Sequence, residues 1–158
     1  MDEMNYEGLS VSGLLDGYYG LTIGGEFIGR FTARELERGI NMALLQNTPQ
    51  YKQAMKIRQM NEERWLKERK MREFYWVEYN LMRKTGMLWA CNEAAVDTLR
   101  KYRPHDIFLQ WNGALWLQYI HKGIREDCVN EQQDLVNQIY EQNKPIPLRI
   151  EIKKFTDL

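Results

Sequence analysis

Reactive side chains are scarce in this sequence. Its 158 residues include two serines (Ser10, Ser12), two histidines (His105, His121) and two cysteines (Cys91, Cys128). Few candidates for nucleophile, general base or soft metal ligand therefore exist. An excess of either charge is also missing: 22 Lys and Arg balance 22 Asp and Glu. Such a chain has no net field to hold a polyanion, and neither nucleic acid nor an acidic membrane is expected as a partner. Long apolar runs are absent too. The most apolar stretch, Ile107 to Ile120, is too short to span a bilayer and contains Gln110, Asn112 and Gln118. No charged segment followed by an apolar one opens the chain, so no signal peptide is expected in it.

What is present is enough to fill a core. Apolar residues make up 44% and aromatics 12%, which at this length fits a single domain over 1–158. The first part, 1–47, reads as a β-meander with a short helix. Leu9 to Ser12 alternates as a strand, Asp16-Gly17 is a turn signal, and Tyr18 to Ile23 is rich in aromatic and β-branched residues. Gly24-Gly25 supplies the positive-φ pair of a tight hairpin, with Glu26 to Phe31 as the returning strand. Thr32 and Glu35 form a capping box, and Gly39 ends the helix that starts at Ala33. Ile40 to Leu45 is expected to pack under the sheet.

Residues 48–143 form a helical excursion. Thr48 is a suitable N-cap and Pro49 a suitable first helical residue, and no Gly or Pro follows before Gly86. One long helix is predicted, with Met55, Ile57 and Met60 near its start and Phe74 to Val77 near its end. In its charged middle only Trp65 and Leu66 are apolar, so this part is expected to face solvent or a partner. Asn92 caps a further helix to Tyr102, and Pro104 breaks it and starts another from about His105 to His121. That segment is apolar almost all round and predicts a central, buried helix ended by Gly123. A more polar helix follows from about Glu126 to Gln142. Pro145 and Pro147 stop helix formation, and 144–158 contains a returning strand, Leu148 to Lys153, with strict alternation. The expected fold is α+β: a small antiparallel sheet of three N-terminal strands plus the C-terminal one, with the helices packed on it.

Each candidate chemistry has a plainer reading. Ser10 and Ser12 alternate on a strand without a glycine-flanked elbow, which fits a solvent-facing strand and not a nucleophile. Cys128 follows His121 by seven residues but with Gly123 between them, and Cys91 with His105 has only loop geometry. Histidines sixteen apart and cysteines thirty-seven apart give no metal-ligand spacing. No catalytic residue, metal site or cofactor is expected. Lys52, Lys56, Arg58, Arg64 and Lys67, with Tyr51 and Trp65 interleaved, have the composition of a strand-tracking surface. Glu63 with Lys67 and Glu68 with Arg72 are instead ordinary i,i+4 pairs of a solvated helix. Trp65 and Leu66, isolated on that charged rod, are the candidate interface anchor. Asp16, Glu26 and Glu35 suit turns and helix starts as well as acid–base work. Trp89, Trp111 and Trp116 suit a core as well as a sugar cleft.

Three blocks carry a family resemblance. They are Val11-Ser12-Gly13-Leu14, Gly17-Tyr18-Tyr19-Gly20-Leu21-Thr22-Ile23-Gly24-Gly25, and Gly29-Arg30-Phe31-Thr32-Ala33-Arg34-Glu35-Leu36. Gly39-Ile40-Asn41-Met42-Ala43, Thr48-Pro49, Gln53-Ala54 and, near the end, Asn143-Lys144-Pro145-Ile146-Pro147 continue the pattern. The chain resembles the region that follows the catalytic domain in bacterial SGNH (GDSL-type) hydrolases. Gly24 replaces the usual Asp of the hairpin. The family's Gly-Asp-Ser block does not occur, and the residues three before His105 and His121 are Tyr102 and Gln118 and not Asp.

The resemblance therefore implies a non-catalytic C-terminal domain of an esterase. Its partner would be an upstream hydrolase domain of the same polypeptide, and a homo-oligomer through the long helix is a further expectation. A secreted parent would place it outside the cytoplasm. The alternatives are a free-standing interaction module using the long helix, and a self-contained carbohydrate-ester hydrolase.

Overall fold

The computed structural model describes residues 6–155. Contacts divide the chain into two compact units, one drawn from Met1–Arg58 and Gln142–Leu158, the other from Gln59–Glu141.

The first unit is built on a hairpin. After the short strand β1 (Gly8–Leu9), β2 (Tyr18–Ile23) and β3 (Glu26–Thr32) pair antiparallel, from Ile23 opposite Glu26 to Tyr18 opposite Thr32. Gly24 and Gly25 have φ of 58° and 86°, the two positive values that a two-residue turn needs if the strands are to keep their right-handed twist. Tyr19, Leu21 and Ile23 alternate inward along β2, as the strand period of two requires.

Helix α1 (Ala33–Arg38) starts on the predicted capping box: the Glu35 amide donates to Thr32 Oγ1 at 3.1 Å, and the Thr32 amide donates to Glu35 Oε2 at 2.7 Å. The bond from the Thr32 amide, reinforced by its hydroxyl, holds the Glu35 carboxyl below its ordinary range. The box is therefore complete at neutral pH and weakens on acidification through that lowered value. Gly39 closes the helix with φ 92°, although its ψ of 136° is extended and not left-handed helical.

Strand β4 (Ile40–Asn41) pairs with β1 in a two-stranded ladder of its own. Here the structure differs from expectation, because the N-terminal strand does not join the hairpin's sheet. The C-terminal strand does. After the helical part of the chain, β5 (Ile150–Lys154) lies against the free edge of β2, with Ile152 opposite Leu21, giving the order β3-β2-β5. Leu21, Ile23, Ile28 and Met42 form the core beneath, with Leu148 and Ile152 packed against them.

Thr48 caps α2 (Pro49–Val77), which is continued by a π-helical turn, Glu78–Met82. In the second unit Met60, Arg64, Lys67, Met71, Phe74, Glu78 and Leu81 turn inward at alternating steps of four and three, and Val77 and Met82 are fully buried beside the last of them. That spacing is the seam of a helix packed along another helix. The other is α5 (Lys122–Gln142), which presents Arg125, Cys128, Gln132, Leu135 and Ile139 at the complementary spacing. It runs antiparallel: Lys67 pairs with Glu131, Cys128 Sγ lies 3.9 Å from the Lys67 carbonyl, and the Arg125 guanidinium lies 4.7 Å from the Phe74 ring centre. The middle of α2 is thus covered on one side, where the sequence predicted solvent or a partner. The hydrogen bond with Glu131 raises the Lys67 ammonium and lowers the Glu131 carboxyl from their usual ranges.

Between them lie α3 (Glu93–Tyr102), capped by Asn92, and α4 (Ile107–Tyr119), capped by Asp106 and not by the predicted Pro104 turn. Gly123 does not end α4. It sits in the first turn of α5, and the Arg125 guanidinium caps the end of α4 by donating to the Tyr119 and Ile120 carbonyls.

Candidate functional site: the aromatic surface of the helical unit

Three consecutive aromatics near the end of α2 organise the second unit. Successive helical residues point about 100° apart, so Phe74, Tyr75 and Trp76 cannot share a face. Phe74 is fully buried and stacks on Trp116 at 6.4 Å, with 6° between the rings. Tyr75 and Trp76 flank it and line separate clefts.

A buried carboxylate lies below them. Glu78, in the π-helical turn, is 1% exposed. Its Oε1 accepts from Trp116 Nε1 at 2.8 Å and its Oε2 from the Trp89 amide at 2.8 Å. Both oxygens are therefore satisfied, which makes the burial of this group tolerable. Trp89 has φ of 63°, a value a bulky residue adopts only when it is held there; the Glu78 carboxylate is what holds it. The Trp89 ring meets the edges of Tyr75 and Tyr79 at 6.0 and 5.8 Å. Beside Tyr75 and Trp89 a cleft of about 400 Å³ is bounded by the Lys122–Glu126 ion pair and Asn130.

The second cleft, about 440 Å³, lies on the Trp76 side. Its floor is Trp76, Leu81 and Leu109, and Lys84, Tyr102 and His105 stand at its rim. Helix α4 borders it and overturns the reading of a central buried helix. Leu109, Gly113 and Trp116 are its buried residues, followed by Ile120 at its C-cap, with Leu115 and Tyr119 partly buried against the same core, and a Cβ on Gly113 would lie 3.3 Å from Leu99 Cδ1 and Arg103 Cδ, so α3 and α4 pack closely there. The opposite face is bare: Phe108 is 50% and Trp111 65% exposed. Their rings contact each other at 5.6 Å, and Phe108 meets Trp76 at 5.4 Å.

The residues singled out in the sequence do not converge. Ser10 Oγ donates to the Glu37 carbonyl at 3.1 Å. Cys91 is exposed, Cys128 is buried, and both are free thiols. Glu26 pairs with Lys52, Glu35 serves the capping box, and Asp16 lies exposed in a turn. Trp116 is core, Trp111 is surface and Trp89 lines the other cleft, so no tryptophan-walled sugar site forms from the three. Among the described residues no cluster of three metal-ligating side chains occurs, and no helix is long and apolar enough to cross a membrane. Of the expected i,i+4 pairs, Glu68 with Arg72 is present at 3.9 Å, whereas Lys67 has turned to Glu131. Trp65 and Leu66 are both nearly half exposed, with the guanidinium groups of Arg69 and Arg72 each 5.8 Å from the Trp65 ring. The sequence reading missed Glu78 and the Phe108–Trp111 face.

A small antiparallel sheet whose last strand returns from the far end of the chain, and a helical unit with an exposed aromatic face, define an α+β fold with a long helix. The chain belongs to the family described as the diltiazem deacetylase C-terminal helical domain, whose model matches residues 55–144. Among solved structures it is similar to BT4096, a gut microbial diltiazem-metabolizing enzyme, with 35% identity and a TM-score of 0.85 over 95% of this chain. The chain spans about a third (34%) of that enzyme's length. No curated protein matches it.

Proposed function

We propose that this chain is the non-catalytic C-terminal domain of an ester hydrolase of the SGNH type, supporting the catalytic domain and access to its substrate. The observation that carries the reading is the match over nearly the whole chain to one third of a larger enzyme, within a family described as the C-terminal domain of a deacetylase. The motif blocks at Gly17–Gly25 and Gly29–Leu36 support the SGNH assignment, and acetyl esters are the substrate class that the family's description suggests. A fluorophosphonate probe tests this in the polypeptide that carries the chain. It is expected to label a serine before residue 1, within a Gly-Asp-Ser block, and hydrolysis of an acetyl ester is expected to vanish when that serine is replaced. Labelling of Ser10 or Ser12, or ester hydrolysis by the 158 residues alone, overturns the proposal.

The exposure of Trp65 and Leu66 favours a second role for α2, self-association. Replacing both by alanine is expected to lower the sedimentation coefficient at high concentration with the unfolding midpoint unchanged, since exposed side chains contribute little to stability. Identical sedimentation of variant and parent removes this role.

A further inference from the structure

We infer that the bare face of α4, with Phe108 and Trp111 at its centre, is the seat of the upstream hydrolase domain; this rests on the proposed function above. Helix α4 contains no charged residue along its thirteen positions. A helix face in contact with water normally carries charge, and an all-apolar helix normally lies within a core. Here the buried core is complete without Phe108 or Trp111: Phe108 rests on Trp76, Trp111 rests on Phe108, and both rings remain half or more exposed. Trp76, Phe108 and Trp111 touch in series, and Ile107 next to Phe108 is 53% exposed, an exposed apolar grouping of the kind that marks interaction sites.

The occupant follows from the size of the similar enzyme. About two thirds of that chain lies outside the matched region, so a domain in this setting has a much larger body covalently beside it, at an effective concentration no free partner matches. Interfaces of this kind centre on aromatic anchors and adjoining sockets inside a polar rim. The cleft beside Trp76 is such a socket, open to an apolar side chain from the other domain. Lys84 at its rim makes no ion pair among the described residues, and a carboxylate across the interface would match it.

Hydroxyl-radical footprinting of the full-length polypeptide tests the assignment without any substitution. Tyr140, 75% exposed on α5, is the internal reference. Trp111 is 65% exposed in this domain and tryptophan is the more reactive side chain, so with a bare face it would be oxidised at least as fast as Tyr140. With the hydrolase domain seated there, Trp111 is expected to be oxidised on the order of tenfold more slowly than Tyr140, as for a residue at an interface centre. Oxidation of Trp111 at the rate of Tyr140, in a protein whose upstream serine still takes the fluorophosphonate, overturns the inference and leaves the proposed function standing. Protection that disappears on dilution assigns the face to a second copy of the chain and also overturns it. Absence of any labelled upstream serine removes both.

Discussion

Trp116→Ala is expected to destabilise the helical unit by about 4 kcal/mol or more, which removes most or all of the margin by which a domain of this size stays folded. Two effects combine. The indole is completely buried against Phe74, and deleting an aromatic from a filled core costs about 3–5 kcal/mol in lost transfer energy and residual cavity. Its Nε1–H is also one of the two donors that satisfy Glu78, and stranding a buried acceptor adds about 1–3 kcal/mol. Trp116→Phe separates the two, because it keeps most of the ring volume and removes only the donor. Urea unfolding followed by circular dichroism should place it about 2 kcal/mol below the parent. A double-mutant cycle of Trp116→Phe with Glu78→Met, a side chain without an oxygen acceptor, should give a coupling of about 1–3 kcal/mol. Additive effects of the two substitutions would mean that the bond between Trp116 and Glu78 contributes nothing to stability.

Ending the chain at Pro147 is expected to dissolve the sheet of the first unit. The truncation removes the ladder from Ile23 opposite Ile150 to Tyr19 opposite Lys154, together with the Phe155 amide bond to the Tyr18 carbonyl and the Gly24 amide bond to the Arg149 carbonyl. It also removes Leu148 and Ile152 from the core. Two apolar side chains at about 1.5–3 kcal/mol each, with several ladder bonds, give a loss of about 5 kcal/mol or more. Hydrogen exchange is the measurement: amides of β2 and β3 should lose their protection while those of α3 and α4 keep it. Ile152→Asp, at full length, should reproduce the effect in part by placing a charge in the same core. Wild-type protection of β2 in both variants would show that β5 is dispensable.

Where local chemistry decided the structure, the sequence was readable. The Gly24-Gly25 turn, the Thr32–Glu35 box, Thr48 before Pro49 and the alternation around Ile150 to Lys153 each specify one backbone outcome, and each is found. The exchange of partners by the first strand was not readable, since Gly8–Leu9 and Ile40–Asn41 are too short to carry a register signal. The seam of α2 was hidden for another reason. Arg64, Lys67 and Glu78 occupy inward positions that a hydrophobic pattern search expects to be apolar, and their long aliphatic stems or buried partners make this tolerable.

For the candidate surface the error was one of sides. Apolar residues all round α4 predict burial all round, and the structure buries one side of it. The spacing Leu109, Gly113, Trp116 and Ile120 does mark the inward face, because a glycine among apolar residues at helical steps signals close approach of a neighbour. Phe108 and Trp111 fall outside that stripe. The role of Glu78 had no signal at all in sequence, since its two donors come from 11 and 38 residues away.

The pairing of β2 with β5 also sets an order of events during synthesis. The edge of β2 emerges from the ribosome long before its partner, because every residue of the helical unit is translated between them. All four later helices can fold while that edge still offers unpaired amides to any passing strand. The sheet therefore cannot close until Ile150–Lys154 has left the ribosome, and a stall between β2 and that point leaves a nascent chain with an adhesive β-edge.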